Sequence, residues 1–247
     1  MKRRDFIRSS AAAGVVVAAS GLAQADEDKT QKGAAAPNAS ARRLVAPAKG
    51  KIPVAFVISQ NATVIDFAGP WEVFQDVHVP TRGGDHEEQM PFQLYTVSEK
   101  TEPLRATAGL QLIPDYTFAN APAPKVVIIG AQSGRSAAMY EWLKKQAREA
   151  DVVMSVCTGA FHLARAGLLD GREATTHHDF TARLAEEFPA VKVKEGLRFI
   201  EGERISTSGG LTSGIDLSLR VVERYFGRAV AEATARYMEY QSTGWMV

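Results

Sequence analysis

The sequence holds one cysteine, Cys157, set in Ser155-Val156-Cys157-Thr158-Gly159. An apolar run at 152–156 precedes it and a helix-compatible stretch at 159–166 follows. That is a strand turning sharply into a helix, the position of a nucleophile elbow, where the side chain at the tip points into a cleft. Gly159 lets the helix approach the strand closely. A helix opening at Thr158 puts its positive end at the sulfur, which lowers a thiol pKa and favours thiolate, the form that attacks carbon. A lone cysteine is otherwise an inert buried residue; the elbow sequence argues for use.

Asp66 is the second candidate. It lies in Val64-Ile65-Asp66-Phe67-Ala68-Gly69-Pro70, where a strand is expected to end. A carboxylate inside an apolar run is costly without a task or a partner. Facing Cys157, it would have a raised pKa, from desolvation and from the thiolate's charge, and could act as a general acid. The alternative is a capping role for a helix at 71–77. Gly130-Ala131 follows the strand 125–129, and its backbone N–H groups, with that of Thr158, are placed to meet a developing negative charge. His177 closes Ala174-Thr175-Thr176-His177. It reads either as a base for Cys157 or as a buried histidine beside the site. His162 reads as packing, and the 208–214 loop as a close-packed backing for the elbow. No Cys/His spacing matches a zinc site, so no metal or cofactor is expected.

These groups need a scaffold that brings three loops together. Runs at 52–58, 125–129 and 152–156 are apolar but for Lys125 and Ser155, as in strands buried on both faces. Residues 92–97 alternate like a strand, and 110–113 reads as an edge strand because Pro114 follows. Residues 136–150 form an amphipathic helix, Asp179 is placed to cap a helix at 180–188, and two helices at 211–226 and 228–240 break at Gly227. Residues 78–91 read as a loop. Strands alternating with helices predict an α/β domain with a mainly parallel sheet sandwiched by helices, its site beyond the carboxyl ends of the strands.

The chain opens Met-Lys-Arg-Arg-Asp-Phe-Ile-Arg, continues through an Ala/Val-rich stretch and closes with Ala23-Gln24-Ala25. A basic start, a short apolar run and a small-x-small end make a signal peptide over residues 1–25, and Arg3-Arg4 gives it twin-arginine character. The expected location is periplasmic or otherwise exported. The apolar run is shorter than the roughly 20 residues a membrane-spanning helix needs. Residues 26–50 read as a flexible linker and 51–247 as one domain. Without residues 1–25, four of 29 basic and one of 28 acidic residues are gone and the net charge is near −2. That leaves no electrostatic footprint for nucleic acid or anionic lipid.

Taken in order, Asp66-Phe67-Ala68-Gly69-Pro70-Trp71-Glu72-Val73-Phe74, Ser155-Val156-Cys157-Thr158-Gly159, Ala174-Thr175-Thr176-His177, Thr207-Ser208-Gly209-Gly210 and Gly214-Ile215-Asp216 resemble the ThiJ/PfpI superfamily. The branch is that of isonitrile hydratases and the ligand-side domain of AraC-type regulators. The resemblance covers about 52–240. It implies a flavodoxin-like, class I glutamine amidotransferase-like fold, no cofactor, a small-molecule substrate and a homodimer. It also implies catalysis by Cys157 and Asp66 with Thr158 following the nucleophile: thiolate attack on an isonitrile carbon, proton delivery by the acid, then water addition to give an N-formamide. Two motifs depart from relatives. Ile129-Gly130-Ala131 stands where Pro-Gly-Gly is usual, adding a methyl at the expected oxyanion site. Thr158 stands where the protease branch has histidine, which argues against peptidase activity. AraC-type regulators add a DNA-binding domain after this one; the sequence ends at Val247 and a regulator is not expected. The competing readings are a non-catalytic ligand-binding or redox-sensing protein, and a glyoxalase- or deglycase-like carbonyl enzyme.

Overall fold

The segment Ile52–Val57 (β1) has no face to give to water: every residue but Pro53 is buried. Val54 and Phe56 pack on one side of a sheet and Ala55 and Val57 on the other. A two-residue period between two apolar layers is what a central strand of a covered sheet requires. In the computed structural model, which describes residues 42–246, β1 is followed by α1 (Val64–Gln75), α2 (His86–Gln89), β2 (Phe92–Ser98), β3 (Leu104–Arg105), β4 (Gln111–Leu112), β5 (Tyr116–Thr117), β6 (Val126–Ile129) and α3 (Ala137–Glu149). The second half holds β7 (Val152–Ser155), α4 (Ala160–Arg165), β8 (Glu173–Ala174), α5 (Thr181–Glu187), β9 (Lys192–Val193), β10 (Phe199–Ile200), β11 (Ile205–Ser208), α6 (Ser213–Phe226) and α7 (Arg228–Tyr237).

Seven strands form one sheet in the order β10-β11-β7-β6-β1-β2-β5. All neighbours are parallel except β10 and β11. The layer holding Val54, Phe56, Ile128 and Met154 is covered by α1, α6 and α7. The opposite layer, with Val127, Ile129 and Val153, is covered by α3, α4 and α5. Each fully buried Val, Ile or Leu there contributes about 1.5–3 kcal/mol. The carboxyl ends of β1, β6 and β7 lie side by side, because Val57 pairs with Ile129 and Ile129 with Ser155.

Several local expectations change. The helix expected at 71–77 begins at Val64, so Asp66 sits in its first turn and Pro70 inside it. Pro70 leaves the carbonyl of Asp66 without its usual donor, but its ring serves the packing. A Cβ on Gly214 would lie 3.3 Å from Pro70 Cγ, and one on Gly69 3.0 Å from Ile215 Cγ1. The two small positions let α1 and α6 cross closely. Residues 110–113 do not edge the main sheet: β4 pairs with β3 in a separate ribbon, and β5 takes the edge. Asp179 does not cap α5, whose N-cap position is Phe180; its carboxylate contacts His177 and His178 instead. The polar loop at 78–91 contains the short α2, capped by Asp85.

Residues 42–50, grouped by sequence with the linker, lie against the domain. Leu44 N–H donates to the Arg224 carbonyl at 2.8 Å, and Arg82 donates to the carbonyls of Pro47 and Gly50. The signal-peptide reading of residues 1–25 and the linker reading of 26–41 lie outside the described residues. Among the described residues no helix is long and apolar enough to cross a membrane.

The tightest approach is at the elbow. A Cβ on Gly159 would lie 2.1 Å from the Ile129 carbonyl oxygen, a backbone atom held in the sheet. Gly159→Ala must therefore shift α4 off β6. We expect a loss of about 3 kcal/mol, a fall in Tm on the order of 10 °C by calorimetry. Gly84→Ala, where the added Cβ meets nothing within 4 Å, should stay within about 0.5 kcal/mol of the parent.

Candidate active site

Cys157 has a φ of +58°, in the left-handed region that side-chain-bearing residues avoid at a cost of about 1–2 kcal/mol. The surroundings fix it there. Its N–H donates to the Gly209 carbonyl at 2.9 Å, and its carbonyl accepts from Thr176 Oγ1 at 2.8 Å. The preceding Val156 N–H donates to the Ile129 carbonyl at 3.0 Å. The turn aims the sulfur at two further backbone donors, the N–H groups of Thr158 and Leu211. Leu211 is itself at φ +50°. The side chain of Cys157 is 7% exposed.

Asp66 reaches the same point from α1 and is fully buried. Its Oδ2 accepts the Ala131 N–H at 2.9 Å. The approach depends on a missing side chain, since a Cβ on Gly130 would lie 2.6 Å from Asp66 Cβ. Oδ1 takes no backbone or hydroxyl hydrogen bond. What faces the carboxyl is the Cys157 thiol, in a contact looser than a well-aligned hydrogen bond but close enough to couple the two groups.

Burial pushes the Asp66 carboxyl up to about 6, with the Ala131 N–H and the thiol holding it back. Burial, and then the negative charge of Asp66, pushes the Cys157 thiol up to about 11, against the pull of the Thr158 and Leu211 N–H groups. The expectation of a standing thiolate is therefore corrected. α4 is only six residues long, and its positive end acts on a sulfur already stripped of water and set beside a carboxylate. The pair rests as thiol and carboxylate at neutral pH.

The other candidates fall differently. Ala131 N–H, expected to meet a developing negative charge, is committed to Asp66, and the Ala131 carbonyl accepts from Thr63 N–H at 2.8 Å. Gly130 and Ala131 thus form a seat for the acid. Thr158 N–H serves the sulfur. His177 does not pair with Cys157: its Nδ1 accepts from Asp179 N–H at 3.2 Å, and its ring stacks on His178 at 4.3 Å. It packs behind the 209–211 loop, where a Cβ on Gly210 would lie 2.5 Å from His177 Cδ2. The sequence reading of the 208–214 loop as a backing for the elbow holds, with the Gly209 carbonyl on Cys157 N–H, but it assigns no contact to Gly209, Leu211 or Thr176 individually. The Gly209-Gly210 pair marks a close approach, but two of the three act through the backbone, which leaves no residue-type signal.

Two cavities flank the elbow. One of about 110 Å³ is lined in part by Thr158, and one of about 460 Å³ by Thr176, His177, Gly209 and Leu211. The ligating atoms of His177, His178 and Asp179 lie within 4.8 Å of one another. The last two residues are exposed and already bonded to each other, Nε2 to Oδ1 at 3.1 Å.

Residues 53–224 match the DJ-1/PfpI family, a span that includes the elbow, the acid and both glycine-bearing loops. The chain belongs to the DJ-1/PfpI family. It is 29% identical over 197 residues to an isonitrile hydratase from Pseudomonas putida, covering 76% of this chain and 78% of that protein. It is 32% identical over 193 residues to the HTH-type transcriptional regulator GbdR of Pseudomonas aeruginosa, covering 76% of this chain; it spans only half of the regulator's length. A ThiJ/PfpI family protein from Pseudomonas syringae superposes with a TM-score of 0.67 at 26% identity, over 80% of this chain and 78% of that one. The mainly parallel, helix-covered sheet is thus the flavodoxin-like fold of the DJ-1/PfpI family, in one domain.

The coupling of acid and thiol has a direct consequence. Asp66→Asn removes both the charge and the acceptor that hold the thiol proton. Thiolate absorbance titrated in the ultraviolet should show a midpoint near 11 in the parent and a clearly lower one in Asp66→Asn. An unchanged midpoint would show that the carboxyl does not act on the sulfur. The sign for stability follows from the same pair. The folded-state pKa of Asp66 is raised to about 6, so the stability it contributes is full below about pH 4 and is lost as pH rises through about 6. Asp66→Asn should flatten that fall in a Tm-against-pH series.

Proposed function

We propose that this DJ-1/PfpI protein is a cysteine-dependent hydratase resembling isonitrile hydratase, adding water to a small electrophilic carbon. The observation that carries this reading is the buried Asp66–Cys157 pair, which holds one transferable proton between an acid and a nucleophile. As sulfur attacks the terminal carbon of an isonitrile, Asp66 takes the thiol proton and a C–S bond forms. The carbon gains an electron pair, and Asp66 returns the proton to it, leaving a thioimidate, R–N=CH–S–Cys157. Water then adds to that carbon, Asp66 accepting a proton from it. The C–S bond breaks, nitrogen is protonated and the N-formamide leaves. Sulfur regains its proton and no cofactor is consumed. The Thr158 and Leu211 N–H groups stabilise the sulfur while it carries charge.

Two alternatives are less well supported. Redox sensing favours an exposed, low-pKa thiolate, and Cys157 is buried with its pKa pushed up. A carbonyl enzyme of the Cys–His type would have His177 at the thiol, and its hydrogen bonds go elsewhere. A pure ligand-binding role is favoured by the similarity to half of a transcriptional regulator, and turnover separates it from the enzyme.

Incubation with a small isonitrile, followed by mass spectrometry for the N-formamide, tests the proposal. Cys157→Ala should give no product. Asp66→Asn should lower kcat on the order of a hundredfold or more, with KM changed little, as for loss of a general acid–base. Binding of the isonitrile without product in the parent protein would leave the ligand-binding reading.

A further inference from the structure

Gly214-Ile215-Asp216 opens α6, and its first two residues serve the crossing with α1. Asp216 is fully buried in the first turn, and a carboxylate without water needs strong donors at its oxygens. Three side chains supply them. Arg198, from the segment before β10, brings Nε and Nη2 to Oδ2. The Tyr240 hydroxyl donates to Oδ1 at 3.0 Å, and Ser242 Oγ donates to the same oxygen at 3.2 Å. The chain after α7 closes over the pair: a Cβ on Gly244 would lie 3.3 Å from both Asp216 Oδ2 and Arg198 Cγ.

This cluster also grips the 209–212 loop at both ends. The Arg198 carbonyl accepts from Gly209 N–H at 2.9 Å, and the Gly209 carbonyl accepts from Cys157 N–H at 2.9 Å. Arg198 Nη2 donates to Thr212 Oγ1 at 3.3 Å and to the Tyr240 hydroxyl at 3.3 Å. A planar guanidinium can hold carboxylate and hydroxyls together in a way that an ammonium cannot. Between the gripped residues stands Leu211, at φ +50°, with its N–H at the sulfur. A residue with a side chain keeps that conformation where its surroundings impose it. The influences on the sulfur are its burial, the Asp66 charge and the N–H groups of Thr158 and Leu211, so Arg198 reaches the thiol through the loop rather than by its charge.

We propose that the Asp216–Arg198–Tyr240 cluster positions Cys157 chemistry from behind: it sets the 209–212 loop so that the Leu211 N–H meets the sulfur as the sulfur takes on charge. The inference rests on the proposed hydratase only in taking Cys157 as the reacting atom. All three are positioning residues, acting through the backbone of the loop. Loosening the cluster frees Leu211 to leave its left-handed conformation, and the thiolate loses one of its two donors.

Titration of the Cys157 thiol tests this. The signal is thiolate absorbance in the ultraviolet less that of the same protein carrying Cys157→Ala, which removes the share of the tyrosines. Every protein also carries Asp66→Asn, to bring the midpoint below the parent's value of about 11. In that background Arg198→Gln should raise the midpoint by about one pH unit, as for the loss of one hydrogen bond to a charged atom, and Tyr240→Phe by less. Arg198→Lys keeps the charge beside Asp216 but not the fork; it should recover most of the Tm lost in Arg198→Gln and only part of the midpoint. Tyr240→Phe changes no charge and removes one hydroxyl, so it decides the matter if Arg198→Gln does not fold. Unmoved midpoints with only Tm lowered overturn the proposal, since the cluster then holds the fold and nothing more. A rise in Arg198→Gln that is absent from both Arg198→Lys and Tyr240→Phe overturns it too, as the mark of charge acting at a distance. With an isonitrile as substrate, and Asp66 intact, Arg198→Gln should lower kcat about tenfold with KM little changed. Formamide from neither protein counts against the hydratase, and the titration then decides the positioning alone.

Discussion

Asp66 is buried beside Cys157, and a carboxylate placed there loses its hydration with one strong hydrogen bond, from Ala131, to replace it. The top of the sheet is arranged around that imbalance. The carboxyl answers it by binding protons more tightly than in water, and the thiol, which shares its dry surroundings, answers in the same direction. Two acids that both hold their protons more tightly than in water, with a charge on either raising the other's pKa, behave as one proton-holding unit. The three loops that meet at the elbow supply what the unit needs. Gly130 leaves space for the Asp66 side chain, and the Ala131 N–H orients it. The loop at 209–211 holds the Cys157 backbone and offers the second donor to sulfur.

The backbone carries its own load. Cys157 and Leu211 both occupy left-handed conformations, and such strain persists where the surroundings over-determine it. At Cys157 the surroundings are a carbonyl from Gly209, a hydroxyl from Thr176 and the close seating of Gly159 on Ile129. Each restraint comes from a different part of the chain, so the elbow can be strained without loosening. The crossing of α1 and α6 at Gly69, Pro70, Gly214 and Ile215 ties the helix bearing Asp66 to the helix that follows the backing loop. Asp66 and Cys157 therefore keep their separation as a property of packing.

How much of this is legible in the residues depends on whether a side chain or a backbone group does the work. The central strands are legible because burial on both faces demands unbroken apolar runs, as at 52–57, 126–129 and 152–154. The elbow is legible because Gly159 is required there. Asp66 is legible as an anomaly, a carboxylate in an apolar run, but the start of its helix is not: Thr63 gives no side-chain cap, and Pro70 resembles a first-turn proline. The charge state of Cys157 is misread from local sequence because helix position is a near-neighbour signal, whereas burial and the charge of Asp66 arise from residues 91 positions away in the chain. Ala131 is misassigned for a similar reason. Its N–H is available in sequence and taken in space. Leu211 acts through an amide that any residue but proline would have.

A resting thiol suits the addition chemistry proposed for this site better than a standing thiolate would. Intrinsic thiolate nucleophilicity rises with the pKa of the thiol, with a Brønsted slope of about 0.4–0.5. Moving from an ordinary 9.0 to about 11 therefore gives a sulfur anion roughly tenfold more reactive once formed. The same shift keeps that anion scarce between turnovers, which limits oxidation of the only cysteine in the chain. In the proposed hydratase the scarcity is lifted when a base beside the sulfur takes the proton during attack, and Asp66, with its pKa near 6, is ionised at neutral pH and weakly enough acidic to give the proton back to carbon. A lower carboxyl pKa would make the return step slow; a higher one would leave no base to begin. The burial that makes Asp66 an awkward residue for folding is thus also what sets it between those two failures.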